Sequence, residues 1–549
     1  MKKICKTTGK TFEITEDDLK FYEKMGVPTP TLCPEERQRR RLSWRNERNL
    51  YHRVCDITGK KIISIYSPDK LLPVYEKNYW WSDKWDGRKY GRDFDFSRPF
   101  FEQFLALQKV IPRPSLHVVG NENCDFVNQC GFSKDCYLSF NTDYSESCFF
   151  CSNTFYSSDC LDSLHCEKCE LCYECLDCKN CYASKFLKNC KNCSESYFLK
   201  NCIGCSDCFG CVNLRNKQYY FLNEKCTKEK YFKKLSDLKL EKYSSLKSLR
   251  KNFSEFIKKY PCKFVEILNV ENVSGDYLNN CKNAKHCFDS FDSENISYCA
   301  VFSWGKDCMD FDVGGYESEL CYETASSGGK QFDCAFMANC WTEATNLFYS
   351  ELMIRIKHCF GCIGLKSAQY CILNKQYSKE EYFQLRDKII DHMKKTKEWG
   401  EFFPIEISPF AYNETMAQEY FPLTKEEALA KGYKWKEKEE TIKHDGPKYE
   451  IPDNIKDVSD EILEKVLICE NTGKNYRIIK VELDFYRKMN LPIPRNCPEA
   501  RYVERRNLRN PRILYDRKCD KCGLDIQTTF APERPEKIFC EKCYLEVVN

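Results

Sequence analysis

The chain has 549 residues, 39 of them cysteine, with 86 basic and 82 acidic side chains and a net charge of +4. It is too long for a small disulfide-stapled domain, and its charge is too balanced for polyanion binding over the whole surface, so such a contact needs a local patch. Aromatics reach 14%, which excludes a disordered thiol-rich chain. The opening MKKICKTTGKTFEITEDDLK lacks the apolar core of a signal peptide. No run approaches the eighteen or so apolar residues of a membrane span. A cytoplasmic protein with reduced thiols and no membrane contact is expected.

Residues 1–90 read as a pair of zinc-ribbon-like modules that have lost ligands. Cys5-x-x-Thr8-Gly9-Lys10 begins the first, Cys33-Pro34-Glu35 follows, and Cys55-x-x-Thr58-Gly59 begins the second. The same pattern returns 464 residues later at Cys469, Cys497 and Cys519 without an insertion. Each of Cys5, Cys33, Cys469 and Cys497 lacks its knuckle partner: Thr8, Glu36, Thr472 and Ala500 stand there instead. Two thiolates do not hold zinc alone. These four are weak metal candidates that need a further ligand; otherwise packing keeps the shape.

Pro34 and Pro498 suit the first turn of a helix. Along it Arg37, Arg41, Arg45 and Arg48 match Arg501, Arg505, Arg509 and Arg512. The spacing i, i+4, i+8, i+11 puts four guanidiniums on one helical face. Such a row suits RNA or another polyanion. The plainer alternative is a solvated face paired to local carboxylates such as Glu36, Glu47 and Glu504. Residues 91–120 form a connector. Before and into it, YWWSDKWDGRKYGRDFDFSRPFF (79–101) interleaves aromatics with charge, for packing between domains or, alternatively, for base stacking.

From Cys124 to Cys211 eighteen cysteines keep one phase of three, and a register of twelve aligns them best. Cys124, Cys136, Cys148, Cys160 and Cys172 form one column, continued by Ser184 and Ser196. The next position reads Asp125, Tyr137, Phe149, Leu161, Tyr173, Lys185, Tyr197 and Phe209. Small residues at a fixed period beside an aromatic row predict a β-solenoid (β-helix) over 121–226. One turn holds twelve residues, or twenty-four as two similar halves. Cysteine fits because a tight turn has little interior room and a thiol is more apolar than a hydroxyl. The alternatives are a metal or redox array and disulfides between rungs. Cys166 to Cys181 holds six cysteines on a three-residue ruler, but the bacterial iron–sulfur run ends with a wider gap and a proline that are missing here.

Phe209-Gly210-Cys211-Val212 recurs as Phe360-Gly361-Cys362-Ile363, an offset of 151, which predicts a second solenoid over 263–377. At that offset Ala344, Ile356 and Met353 replace cysteines, as a packed core allows, and Trp341 calls for a bulge. Basic amphipathic helices over 227–262 and 378–400 are read as caps, with partner binding second; Ser378 and Glu381 form a capping box. Residues 401–466 are a Pro-punctuated connector in which Thr424 and Glu427 cap a short helix. Residues 467–549 are the second ribbon pair. There Cys519-x-x-Cys522 and Cys540-x-x-Cys543 supply four thiolates for one structural zinc, with no open coordination position for catalysis.

The pattern C-x-x-[T/C]-G-K, F-Y, P-x-P-x-x-C-P-E-x-R resembles probable zinc-ribbon domains of bacterial proteins, and the arrangement around a cysteine-rich middle resembles uncharacterised proteins of small-genome bacteria. The resemblance implies zinc and a ribbon fold, and no activity. The seven histidines, His52, His117, His165, His286, His358, His392 and His444, fall in no metal or nucleophile motif. The sequence therefore predicts a mainly β, non-catalytic scaffold or binding protein with one zinc. The rival is a metal-storage or thiol redox-sensing protein.

Overall fold

From residue 123 to 222 every third residue has a φ between 46° and 65°, whether it is Asn, Asp, Phe, Tyr or Gly. A left-handed residue in extended chain makes a bend. Each three-residue segment thus supplies one inward side chain, one residue that pairs with the next rung, and one bend. This is the physical origin of the three-residue ruler. The pairing is parallel and joins i to i+12, as in Asp125↔Tyr137, Tyr137↔Phe149 and Cys166↔Cys178. The chain climbs one rung every twelve residues, which decides against twenty-four. A computed structural model describes residues 1–437 and 449–548, so the 401–466 connector lies partly outside the described residues.

A second parallel ladder runs from Ile267 to Ile372, and its period is uneven. Ile267 pairs with Leu278 and Phe288 with Ala300. Cys308 then pairs with Cys321 and Cys321 with Cys334, thirteen residues apart, before Cys359 returns to twelve with Cys371. The register shifts between Trp341 and Ala344, at the tryptophan expected to need a bulge. Extra residues accumulate upstream of Phe360. Counted rung by rung, the pairings Leu161↔Tyr173 and Met309↔Tyr322 set Leu161 against Met309 and Tyr173 against Tyr322, offsets of 148 and 149. The offset of 151 thus holds at the Phe360 rung and not upstream: three added residues equal one three-residue segment, so at that offset cysteines of neighbouring columns are matched.

Helix makes up 24% and strand 32%, so the protein is mixed α/β with long parallel sheets, not mainly β. Ladder one ends in a hairpin, Tyr220–Phe221 with Glu224–Lys225, and Thr227 then caps Lys228–Asp237. A separate helix, Tyr243–Phe256, follows where one helix was expected. Ladder two ends alike, and Ser378 and Glu381 make both capping-box bonds on Lys379–Lys395. Most rings of residues 79–101 pack: Trp80, Trp85, Phe94 and Phe100 are buried, Trp80 lies 6.3 Å from Trp341 of ladder two, and Phe96 is exposed.

The terminal modules repeat one hairpin four times: Lys2–Ile4 with Thr11–Glu13, Tyr51–Val54 with Lys61–Ser64, Leu467–Ile468 with Asn475–Tyr476, and Tyr515–Lys518 with Asp525–Thr528. In each the knuckle glycine (Gly9, Gly59, Gly473, Gly523) donates to the carbonyl four residues back, with φ of 68° to 74°. That left-handed geometry favours glycine. The knuckle backbone is thus the same with two cysteines or one.

Candidate metal centre and arginine clamps

The Asp525–Thr528 hairpin and the Ile538–Phe539 strand bring Cys519, Cys522, Cys540 and Cys543 together, with all four sulfurs within 4.8 Å of one another. Cys540 N donates to Cys519 Sγ at 3.3 Å, and Cys522 Sγ is 3.7 Å from Cys540 Sγ. Burial opposes ionisation of Cys519, but backbone N–H groups of Cys540, Cys522 and Lys521 overcome it and lower the thiol to about 6. Burial and the neighbouring sulfurs raise Cys543 to about 12. Four thiolates repel one another at this distance, and a divalent cation is what lets all four ionise. The cluster suits a metal. The module is anchored between the ladders, since Ile538 pairs with Cys262 and Tyr544 Oη donates to Asn213 Oδ1 at 2.9 Å.

The half-knuckles come together in pairs. Cys5 and Cys33 share one buried cluster, and Thr472 Oγ1 lies 3.8 Å from Cys497 Sγ in the Cys469–Cys497 pair. Burial raises Cys33 to about 12. Among the described residues the C-terminal four are the one group of three or more Cys, His, Asp or Glu placed to hold a metal.

The arginines do not form outward rows. Their helices, Pro34–Leu42 and Pro498–Arg506, end before Arg45 and Arg509, so the stripe bends away after two members. Arg37, Arg41, Arg45, Arg501 and Arg505 are buried. Arg37 Nε meets Asp310 Oδ2 at 2.8 Å, and Arg41 meets Asp310, Asp312 and Glu323. Arg501 Nε meets Asp162 Oδ2 at 2.8 Å, and Arg505 meets the other oxygen of Asp162 at 2.9 Å. Arg45 donates to Ser326 and Arg509 pairs with Asp177, equivalent positions of the two ladders. Arg48 lies over the Tyr502 ring and donates to Ser152, and Arg512 pairs with Asp289. Free guanidiniums were the condition for polyanion binding, and here ladder carboxylates and hydroxyls occupy them. Arg37 and Arg41 of the N-terminal module grip ladder two; in the C-terminal module Arg501 and Arg505 grip ladder one, while Arg509 and Arg512 also reach Asp289 of ladder two.

Sequence reasoning missed the acidic half of these clamps. Its signal was the dipeptides Leu161-Asp162 and Tyr173-Glu174 against Met309-Asp310 and Tyr322-Glu323, hidden by the inserted residues. The aromatic partners repeat too: Tyr22 is 5.5 Å from Tyr322, and Tyr486 is 5.9 Å from Tyr173.

All 39 cysteines are free, and all but Cys124 and Cys522 are buried. The ladder thiols donate inward. Cys130 Sγ reaches the carbonyls of Asn128 and Ser139 at 3.2 and 3.3 Å; Ser133 Oγ makes the same pair of bonds, to Gly131 and Thr142, at 3.2 and 3.1 Å. Cysteine and serine are interchangeable in this role. Burial holds Cys281 neutral, raising it to about 11. His117 and His165 are lowered to about 3 by burial and by neighbouring arginines, so both stay neutral near pH 7.

No protein-family model and no curated protein matches the chain. No helix among the described residues is long and apolar enough to cross a membrane.

Proposed function

We propose that the protein is a non-catalytic scaffold built on two β-solenoid modules, with one structural zinc at Cys519, Cys522, Cys540 and Cys543. The observation that carries this reading is the crossed clamp. Each terminal module makes buried ion pairs with the ladder farther from it in sequence. Repeats of this kind offer extended surfaces to macromolecules. Tetrahedral thiolate ligation is what zinc takes in structural sites. The reading that the ladder thiols store metal or sense redox state has less support, because those thiols already donate to backbone carbonyls.

Metal and thiol content of one anaerobic, chelator-free preparation tests this. About one zinc per chain, with the ladder thiols titrating only after denaturation, is the expected result. Several metals per chain, or a metal–thiolate absorption band that survives loss of the C-terminal site, overturns it.

A further inference from the structure

The polyanion site absent from the arginines has a stronger candidate in the helical pair that follows ladder one. Residues 228–259 contain eleven basic and four acidic side chains, a net of +7 in a chain whose total is +4, so the remainder carries −3. The apolar side of the pair is used: Tyr231 and Leu246 are buried, Phe253 meets Phe198 at 5.6 Å, and Arg250 reaches Glu174 of ladder one at 2.7 Å. Lys228, Lys230, Lys233, Lys239, Lys247, Lys251, Lys258 and Lys259 are all exposed. Among the described residues only Lys258 of these has a carboxylate within 4 Å, Glu255.

We propose that this face binds the phosphate backbone of single-stranded nucleic acid. Lys247 and Lys251 stand one helical turn apart, about 6 Å along the axis. They offer ammonium groups in a row, as a regularly charged chain requires. Phe232, 44% exposed, stands one helical turn after Lys228 on the same side of its helix and presents a ring on which a base stacks. An anionic membrane is disfavoured as occupant, because a helix lying in lipid buries its apolar side there and these helices bury theirs against the ladder. The negative remainder of the surface steers a polyanion to this patch. The inference supplies a partner for the proposed scaffold, yet its failure leaves the zinc and thiol stoichiometry unchanged, so the two readings fail separately.

The test is fluorescence anisotropy of the full chain with a labelled 20-nucleotide single-stranded RNA of mixed sequence over a salt series. Two fourfold charge reversals with the same net charge are compared. One is Lys230→Glu, Lys233→Glu, Lys247→Glu and Lys251→Glu; the other is the dispersed Lys20→Glu, Lys60→Glu, Lys330→Glu and Lys518→Glu. The local variant is expected to lose about 100-fold in affinity at low salt and to flatten the salt slope by about 3, at ~0.7 per single-strand phosphate contact. The dispersed variant changes by less than about threefold. Phe232→Ala costs about tenfold on single-stranded RNA and nothing on a duplex of the same length. No binding by the wild-type chain in ~50 mM salt, or equal loss in the two reversals, overturns the proposal. Equal effects of Phe232→Ala on strand and duplex overturn its single-strand part.

Discussion

Asp162 and Asp310 occupy the same place in their ladders, each at a left-handed bend four rungs before the Phe209 or Phe360 rung, and each receives the arginine Nε of the opposite terminal module at 2.8 Å. Arg501 and Arg37, which make those contacts, are 464 residues apart and equivalent in the terminal duplication. The two clamps are therefore equivalent, each joining a terminal module to the ladder farther from it in sequence. Each carboxylate is fully buried and faces two guanidiniums, so burial alone would penalise every charge present, and only the mutual pairing makes the arrangement stable.

Breaking either clamp should be costly. Asp310→Asn leaves Arg37 and Arg41 short of a buried counter-charge, and a loss of about 3–5 kcal/mol is expected in urea unfolding. Asp162→Asn should cost a similar amount. The combination Arg501→Met with Asp162→Leu should cost much less than Asp162→Asn alone, because no buried charge is stranded.

Removing a metal ligand should act locally. Cys540→Ser should lower zinc content below one per chain and expose the C-terminal module to proteolysis, while amide exchange in ladder one stays slow. Cys5→Ser and Cys497→Ser should leave zinc content unchanged, and metal analysis of the three variants checks both statements.

The ladder core should tell size from chemistry. Cys172 donates to the carbonyls of Glu170 and Cys181, and Ser184 and Ser196 continue its column. Cys172→Ser should cost about 1 kcal/mol or less, since a hydroxyl makes the same bonds. Cys172→Leu should cost about 1–3 kcal/mol through overpacking. Asn180, at φ 53°, should tolerate Gly, but Asn180→Val should destabilise by about 1–2 kcal/mol because a β-branched residue resists that bend. Thermal unfolding of the four variants ranks them.

The contact of the C-terminal module with ladder two should weaken with rising pH. Burial raises Asp276 to about 7, although Glu266 N and Thr529 Oγ1 donate to it. The folded state thus keeps a proton that the unfolded chain releases near pH 4. The contribution is full below about pH 4 and is lost as pH rises through about 7. Asp276→Asn should flatten that decline, which denaturant midpoints from pH 4 to 8 would measure.

Local rules made much of this molecule legible. Inward small residues recur every three positions because a bend falls every three, so the period survives in sequence whatever the partners. The duplicated knuckles are equally visible, since Cys, Gly and Pro are each tied to one backbone geometry. The four-cysteine cluster follows from spacing alone. The two ladders could not be matched by one offset, because added residues in ladder two slide its columns by a whole side while leaving the pattern intact.

The sequence by itself determined the rungs, the knuckles and the ligand cluster, each written within a few dozen residues. Only the tertiary structure decided what the arginines do. A guanidinium row reads the same in sequence whether it faces a phosphate chain or an aspartate on the far side of the molecule. Which it meets depends on the crossing of the terminal modules, and that crossing is fixed by Asp162 and Asp310, hundreds of residues from the arginines they hold.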